Sequence, residues 1–370
     1  MDINEGKIVR VAVVGLGKMG LSHLSMIKAH PKVQLVGVCD TSKYMLDVLE
    51  KSIDIATFTD YEKMLQQTGA EAVIIATPSR FHASLVRKSI ERGLHVFCEK
   101  PFCLNWSDSV ALASLAESKG LVNQVGYHYR FVGAFQEVKR LLESGAIGTV
   151  SHVLAEAYGP VVLRPKGMLW RTQKEEGGGS LYDYAAHPVN LLNWFFGMPN
   201  NVSGTLMNSI FSKDTDDEVY STIQYPGGPG VQLSVNWSDE SYRKMSVKIT
   251  AWGTAGRIFA DRQECQVYLR NTVEPPPGYT HGWNIRYTTD LTQPVWFYVR
   301  GEEYSAQLDY FVRCIQSGEH MNINSFASAA QTDLTLAMML ENAQSSAALA
   351  SSATNMTTPL YSAAKAAAKV

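Results

Sequence analysis

The N-terminal third of the chain alternates short, uninterrupted apolar runs with stretches in which apolar residues recur at helical spacing. Residues 8–14, Ile-Val-Arg-Val-Ala-Val-Val, have the β-branched content of a strand buried on both faces. A helical pattern with Leu21, Leu24, Met26 and Ile27 follows, then Val33 to Cys39 as a second strand. The alternation continues with a helix near 43–51, a short strand at 56–58, a helix at 60–67, a strand at 72–76 and a helix opening near His82. A strand from Gly93 to Cys98, a helix at 106–118 and a strand at 121–126 complete it. Such a repeat predicts an α/β unit, a doubly wound parallel sheet of the Rossmann type over residues 1–125.

After Gly126 the pattern changes. A helix is expected at 133–144, with Phe135, Val138, Leu141 and Leu142 on one face. Strands are expected at 150–157, 202–210, 218–225, 230–237, 245–252 and 257–260, joined by Gly and Pro turns. Helices are expected at 302–317 and 325–345, and Leu308, Phe311, Val312 and Ile315 read as core. Residues 126–345 thus form an α+β domain with a largely antiparallel sheet. Residues 271–300, rich in Pro, Tyr and Trp, read as a loop over the site, and residues 346–370 as a frayed tail or packing arm.

Composition narrows the function. At 370 residues, 45% hydrophobic and 18% charged, the chain has ample core for two domains. A net charge of -2 gives no pull toward nucleic acid or anionic membrane. Cys39, Cys98, Cys103, Cys265 and Cys314 are odd in number and lack CxxC spacing, so neither a disulfide framework nor a metal site is suggested. The expected cysteines are reduced and buried, and with neither a signal peptide nor a long apolar segment the expected location is cytoplasmic.

Two stretches carry the chemistry. Gly15-Leu16-Gly17-Lys18-Met19-Gly20, between strand and helix, has the form GxGxxG, in which the glycines admit a pyrophosphate and bring helix close to strand. Asp40 ends the next strand, where an acid accepts ribose hydroxyls and repels a 2′-phosphate, favouring NAD over NADP. Thr77-Pro78 and Glu99-Lys100-Pro101 end two further strands at the same sheet edge, where open α/β sheets bind ligands. His82 reads as a capping or packing histidine in preference to a catalytic one.

The second stretch is Gly177-Gly178-Gly179-Ser180-Leu181-Tyr182-Asp183-Tyr184-Ala185-Ala186-His187-Pro188. On a helix Asp183 and His187 share a face and converge on one ligand. The competing reading makes Ser180 an N-cap with Asp183 as its acidic third residue. Pro188 predicts a kink or a fresh helix start.

The runs Val-Gly-Leu-Gly-Lys-Met-Gly, Ala-Thr-Pro-Ser-Arg-Phe-His at 76–82, Cys-Glu-Lys-Pro at 98–101 and the triple-glycine stretch resemble the Gfo/Idh/MocA family of nicotinamide-dependent sugar and cyclitol oxidoreductases. The resemblance covers most of the chain. It implies a catalytic group of Lys100, Asp183 and His187, and an oligomer interface, dimeric or tetrameric, through the C-terminal sheet. Expected cofactor contacts are Gly15, Gly17, Lys18, Met19, Gly20, Asp40, Thr77, Pro78, His82, Glu99 and Lys100. Asn190 stands where the family often has an acid, and Tyr127-His128 where many members have a smaller or amide-bearing pair; both bear on the substrate.

The expected activity is NAD-dependent oxidation of a secondary hydroxyl of a sugar, cyclitol or sugar derivative, with Lys100 or His187 as base and a lysine pKa lowered by its pocket. The alternatives are a glycoside-cleaving enzyme that recycles bound NAD, and a non-catalytic NAD-binding sensor. Expected substrate contacts are Tyr127, His128, Arg164, Trp170 and Arg171; Arg164, Lys166 and Arg171 tilt the substrate toward one with an anionic part, such as a nucleotide sugar.

Overall fold

The apolar strands of the N-terminal third demand cover on both faces, and the chain supplies it from both of its ends. The computed structural model describes the backbone of residues 7–163, 170–320 and 322–367, with side chains through 346 except that of Trp170. The first unit runs β1 (Val9–Val14), α1 (Lys18–Lys28), β2 (Val33–Cys39), α2 (Lys43–Ser52), β3 (Thr57–Phe58), α3 (Tyr61–Gln67), β4 (Ala72–Ile75), α4 (His82–Glu91), β5 (His95–Cys98), α5 (Trp106–Ser118) and β6 (Asn123–Val125). Its six strands pair in parallel in the order β3-β2-β1-β4-β5-β6. The direction of winding reverses between β1 and β4, and that crevice is where a doubly wound sheet takes a ligand.

The second unit continues with α6 (Gly133–Glu143), β7 (Val150–Tyr158), α7 (Ala186–Phe196), β8 (Asn201–Asn208), β9 (Glu218–Gln224), β10 (Gly230–Asn236), β11 (Ser246–Gly253), β12 (Gly256–Ala260), β13 (Glu264–Leu269) and β14 (Gly282–Tyr287). Three helices follow, α8 (Thr288–Leu291), α9 (Glu302–Ser317) and α10 (Phe326–Ala367). Its eight strands lie in the order β14-β13-β12-β11-β7-β10-β9-β8, antiparallel except for β7 with β10. Strand β7 therefore lies inside the sheet, although it comes first in the chain.

Alternation along these strands buries one face: Val153, Ala155 and Ala157 of β7 and Val231, Leu233 and Val235 of β10 are fully or nearly fully buried. Helices α6 and α7 lie on that side. The other face exposes Tyr268 of β13 and Trp283, Ile285 and Tyr287 of β14.

Three sequence expectations change. Residues 271–300 are not one loop, since β14 and α8 lie within them. Strand β14 does alternate, but with its large residues outward, the reverse of an ordinary core strand. Strand β13 was not expected at all. The segment expected as a tail is helical backbone as far as Ala367, an extension of α10.

Helix α9 crosses back to the first unit. Leu308, Phe311 and Val312 pack with Val11 and Val13 of β1 and with Leu24 and Ile27 of α1. The predicted core residues of α9 thus complete the cover of the parallel sheet from about 300 residues away. On the opposite face α10 packs on α5, with Phe102 and Phe326 stacked at 4.2 Å. All five cysteines are free and buried. Among the described residues, no helix is long and apolar enough to cross a membrane.

Candidate active site

The glycine turn is built by close approach. Gly15 has φ +86°, and a Cβ there would meet the carbonyl oxygen of Ala76 at 2.7 Å. A Cβ on Gly20 would overlap the carbonyl oxygen of Gly15 at 1.7 Å, so only glycine lets α1 start this close to β1. At Gly17, which is exposed, an added Cβ would meet no protein atom within 4 Å, so room remains over the first turn of α1. Lys18 and Met19 follow in that turn. Asp40 accepts from the Leu16 amide at 2.5 Å and the Ser42 amide at 2.7 Å, locking the turn to the end of β2. Open space above helix-end amides, beside a carboxylate one strand away, fits the pyrophosphate and adenosine ribose of NAD.

Thr77 and Pro78 lie past the end of β4. His82 is buried with Nδ1 2.8 Å from the Pro101 carbonyl and Nε2 3.0 Å from the Thr77 carbonyl. It braces two loops at the sheet edge, and both its nitrogens face backbone. Glu99 is 9% exposed, with Oε1 2.6 Å from Nε2 of His23 on α1 and Oε2 accepting from the Lys100 amide at 3.3 Å. Burial raises the Glu99 carboxyl, but the hydrogen bond from His23, with the Lys100 charge and amide beside it, holds it below the ordinary range.

Next along the chain, Lys100 reaches across to the second unit. Its ammonium donates to Oδ1 of Asp183 at 2.8 Å and to the Asp183 carbonyl at 3.0 Å. Arg171 donates from Nε to Oδ2 of the same carboxylate at 2.7 Å. Burial opposes the charge on Asp183, yet Lys100 and Arg171 together hold its carboxyl at about 2. Arg171, expected as a substrate contact, is thus also a partner of the acid. Arg164 and Lys166 lie outside the described residues; Trp170 opens a short turn through Thr172.

Asp183 stands where the backbone widens. Residues Leu181–Ala185 form a π turn in which the Ala186 amide reaches back to the Leu181 carbonyl, and α7 starts directly after it. Pro188 has no N–H to give the Tyr184 carbonyl, so a continuous α-helix through this stretch is unavailable and a fresh start follows. The Ser180 hydroxyl donates to Oδ2 of Asp216 at 2.7 Å and caps nothing. The capping reading of Ser180 with Asp183 is thus replaced by one in which Asp216, also bound by the Leu181 amide at 2.7 Å, fixes the start of the turn.

His187 is 2% exposed, in the first turn of α7, and ringed by aromatic side chains. Its ring lies 5.0 Å from Tyr129, 5.1 Å from His128 and 6.2 Å from Tyr127, centroid to centroid. Burial, then the charge of Lys100, pushes the imidazole well below its ordinary range, and a helix N-terminus acts the same way. These effects favour the uncharged imidazole. His128 stacks on Tyr304 at 4.4 Å, with Nε2 3.3 Å from the Tyr304 hydroxyl. Tyr127 is buried with its hydroxyl unpartnered.

Asn190 is not part of this cleft surface. It is buried, and accepts from Nε of Arg130 at 2.7 Å while donating to Thr332 at 3.0 Å. Its departure from the family's acid changes a buried brace between α7 and α10, and not the substrate contacts.

The structure brings Lys100, Asp183 and His187 to one place at the carboxyl edge of the parallel sheet. His23, Tyr129, Tyr304 and Asp216 join them without having been singled out in the sequence. His23 alone left a trace there, three residues past Gly20 and facing a buried strand end.

A Rossmann sheet with a glycine turn and ribose acid, joined to an antiparallel sheet that completes a lysine, acid and histidine cluster, defines a nicotinamide-dependent oxidoreductase. Residues 9–127 match the oxidoreductase family with an NAD-binding Rossmann fold, and residues 135–259 match the GFO/IDH/MocA C-terminal domain. The chain belongs to the Gfo/Idh/MocA family, and its cofactor is NAD. It is 26% identical over 316 residues to scyllo-inositol 2-dehydrogenase (NAD(+)) of Bacillus subtilis, covering 84% of this chain and 87% of that one. It is also 26% identical over 264 residues to 2,7-anhydro-N-acetylneuraminate hydratase of Mediterraneibacter gnavus, covering 70% and 69%. Its fold matches levoglucosan dehydrogenase in complex with NADH and levoglucosan at a TM-score of 0.79, with 22% identity over 91% of this chain and 97% of the other.

Proposed function

We propose that this enzyme oxidises a secondary hydroxyl of a neutral cyclitol or sugar, with Lys100, Asp183 and His187 as its catalytic group. The carrying observation is the fixed position of the Lys100 ammonium, 2.8 Å from an ionised Asp183 and beside a neutral imidazole. Bound NAD supplies the hydride acceptor. Lys100 binds the substrate oxygen and stabilises the negative charge that grows on it, while His187 takes the hydroxyl proton. Asp183 holds the ammonium in place and does not itself pick up the proton. The cofactor contacts expected from the sequence, from Gly15 through Lys100, belong to the same reading, except His82, whose two ring nitrogens both face backbone carbonyls.

A neutral substrate is supported by the engagement of Arg171 with Asp183 and by the name of the inositol dehydrogenase relative. Ring carbons of such a substrate would lie against Tyr304 and His128, which present a stacked pair beside His187. NADH formation across inositols, free sugars, sugar acids and nucleotide sugars tests this. Turnover confined to sugar acids or nucleotide sugars would contradict it.

A second reading rests on the relative named a hydratase, a reaction without net redox change. It predicts conversion of an anhydro sugar with no net NADH, which the same assay distinguishes. The exposed aromatic face of β13 and β14 supports self-association through the C-terminal sheet, and five buried free thiols support a reducing, cytoplasmic location.

A further inference from the structure

The proposed proton and hydride chemistry gives no role to the buried pair formed by His23 and Glu99 at the sheet edge. It joins the first helix after the glycine turn to the end of β5, 76 residues apart in sequence, at 2.6 Å. His23 is completely buried, and its ring packs edge-on against Phe97 at 5.2 Å. A Cβ on Gly126 would meet the Glu99 carboxylate at about 3.0 Å, so the end of β6 closes the carboxylate in from the other side.

The hydrogen bonding tells which partner carries the charge. Nε2 of His23 faces the carboxylate, whereas its Nδ1 is buried without any partner. One ring proton, on Nε2, satisfies the carboxylate; a second, on Nδ1, would be an N–H buried with no acceptor. The negative charge of Glu99 is therefore positioned by His23 and not cancelled by it.

The location gives that charge a consequence. Asp40 places the adenosine end of the cofactor over β2, and the glycine turn places the pyrophosphate over β1, so the nicotinamide end extends over β4 and β5. Around the end of β5, Lys100 and Arg171 bring two positive charges and Asp183 one negative. Without Glu99 this region is cationic. Oxidised nicotinamide is a cation and reduced nicotinamide is neutral, so an uncompensated positive charge would discriminate against the form that accepts hydride.

We infer that Glu99, held by His23, sets the relative affinity of the site for NAD⁺ over NADH, with His23 as a positioning residue. The inference rests on the cofactor placement proposed above. A unit charge several ångströms from the ring, at an effective dielectric constant near 20, is worth about a tenfold change in affinity or more.

The test is the pair of dissociation constants for NAD⁺ and NADH, by calorimetry and by NADH fluorescence, in the full-length protein. Glu99→Gln is expected to weaken NAD⁺ by about tenfold relative to NADH. His23→Leu is expected to shift the ratio the same way by a smaller factor, because a buried carboxylate that loses its donor takes up a proton more readily. His23→Gln, which keeps an N–H donor, is expected to restore the wild-type ratio. An unchanged ratio in Glu99→Gln, or an equal loss for both nucleotides in Glu99→Gln and His23→Leu, would overturn the inference. Failure of the wild-type protein to bind either nucleotide would instead strike the cofactor placement itself.

Discussion

Lys100, just past the end of β5, and Asp183, in the π turn before α7 and 83 residues away, meet at 2.8 Å, and Arg171 holds the other oxygen of the same carboxylate at 2.7 Å. The contact spans the boundary between the NAD-binding unit and the unit that completes the site. It makes the geometry of the reacting centre depend on how the two units pack.

One consequence is acid sensitivity. The Asp183 carboxyl is held at about 2 in the folded protein, below its unfolded value near 4. A depressed folded-state pKa stabilises the fold fully above about pH 4, and that stability is lost as pH falls toward 2, amounting to about 2 kcal/mol. Denaturation measured between pH 5 and pH 2 is expected to show this fall in the wild type and a shallower one in Asp183→Asn. Parallel curves would show that Asp183 is not the group responsible.

The pH profile of kcat/KM reports the base in the free enzyme. Burial and the charge of Lys100 hold His187 well below its ordinary range, so it stays unprotonated as pH falls through 6.5. The rate is expected to remain flat from pH 8 to below pH 6, and His187→Asn to lower kcat by about 10²- to 10⁴-fold. An acidic limb with its midpoint at or above 6.5 in the wild type would contradict the neutral-base role.

Asp40 is predicted to exclude NADP. Its carboxylate is fixed by the Leu16 and Ser42 amides at the mouth of the turn, where a 2′-phosphate would meet it. Asp40→Ala should improve NADP affinity relative to NAD by about tenfold or more, read from dissociation constants. An unchanged preference would remove Asp40 from the ribose site.

Much of this architecture was legible because it is carried by contiguous residues. The glycine turn, Glu99-Lys100-Pro101 and the triple-glycine stretch each bring their backbone constraint and their chemistry in one run, and the parallel strands announce themselves by apolar runs. What was illegible depends on tertiary pairing. Nothing near Arg171 says that it pairs with Asp183. Nothing near Asn190 says that it faces a buried Arg130 guanidinium, whose pKa burial pushes down to about 9. Strand β14 escaped for a different reason, since Trp283, Ile285 and Tyr287 alternate toward the open face and read as a loop rich in aromatics.

That open face yields a prediction of its own. Tyr268, Trp283, Ile285 and Tyr287 lie exposed on two neighbouring strands at the sheet's edge. A charge there opposes association, so Trp283→Glu is expected to reduce the molar mass measured by light scattering to that of the monomer without lowering the melting temperature. An unchanged mass for an oligomeric wild type would place its interface elsewhere.

The central claim, that Lys100 handles the reacting oxygen and does not merely bind cofactor, is tested most directly by Lys100→Met. Single-turnover hydride transfer should fall by about 10³-fold or more, while the NADH dissociation constant stays within about threefold of the wild type. Turnover within tenfold of the wild type, with NADH still bound, would contradict the account.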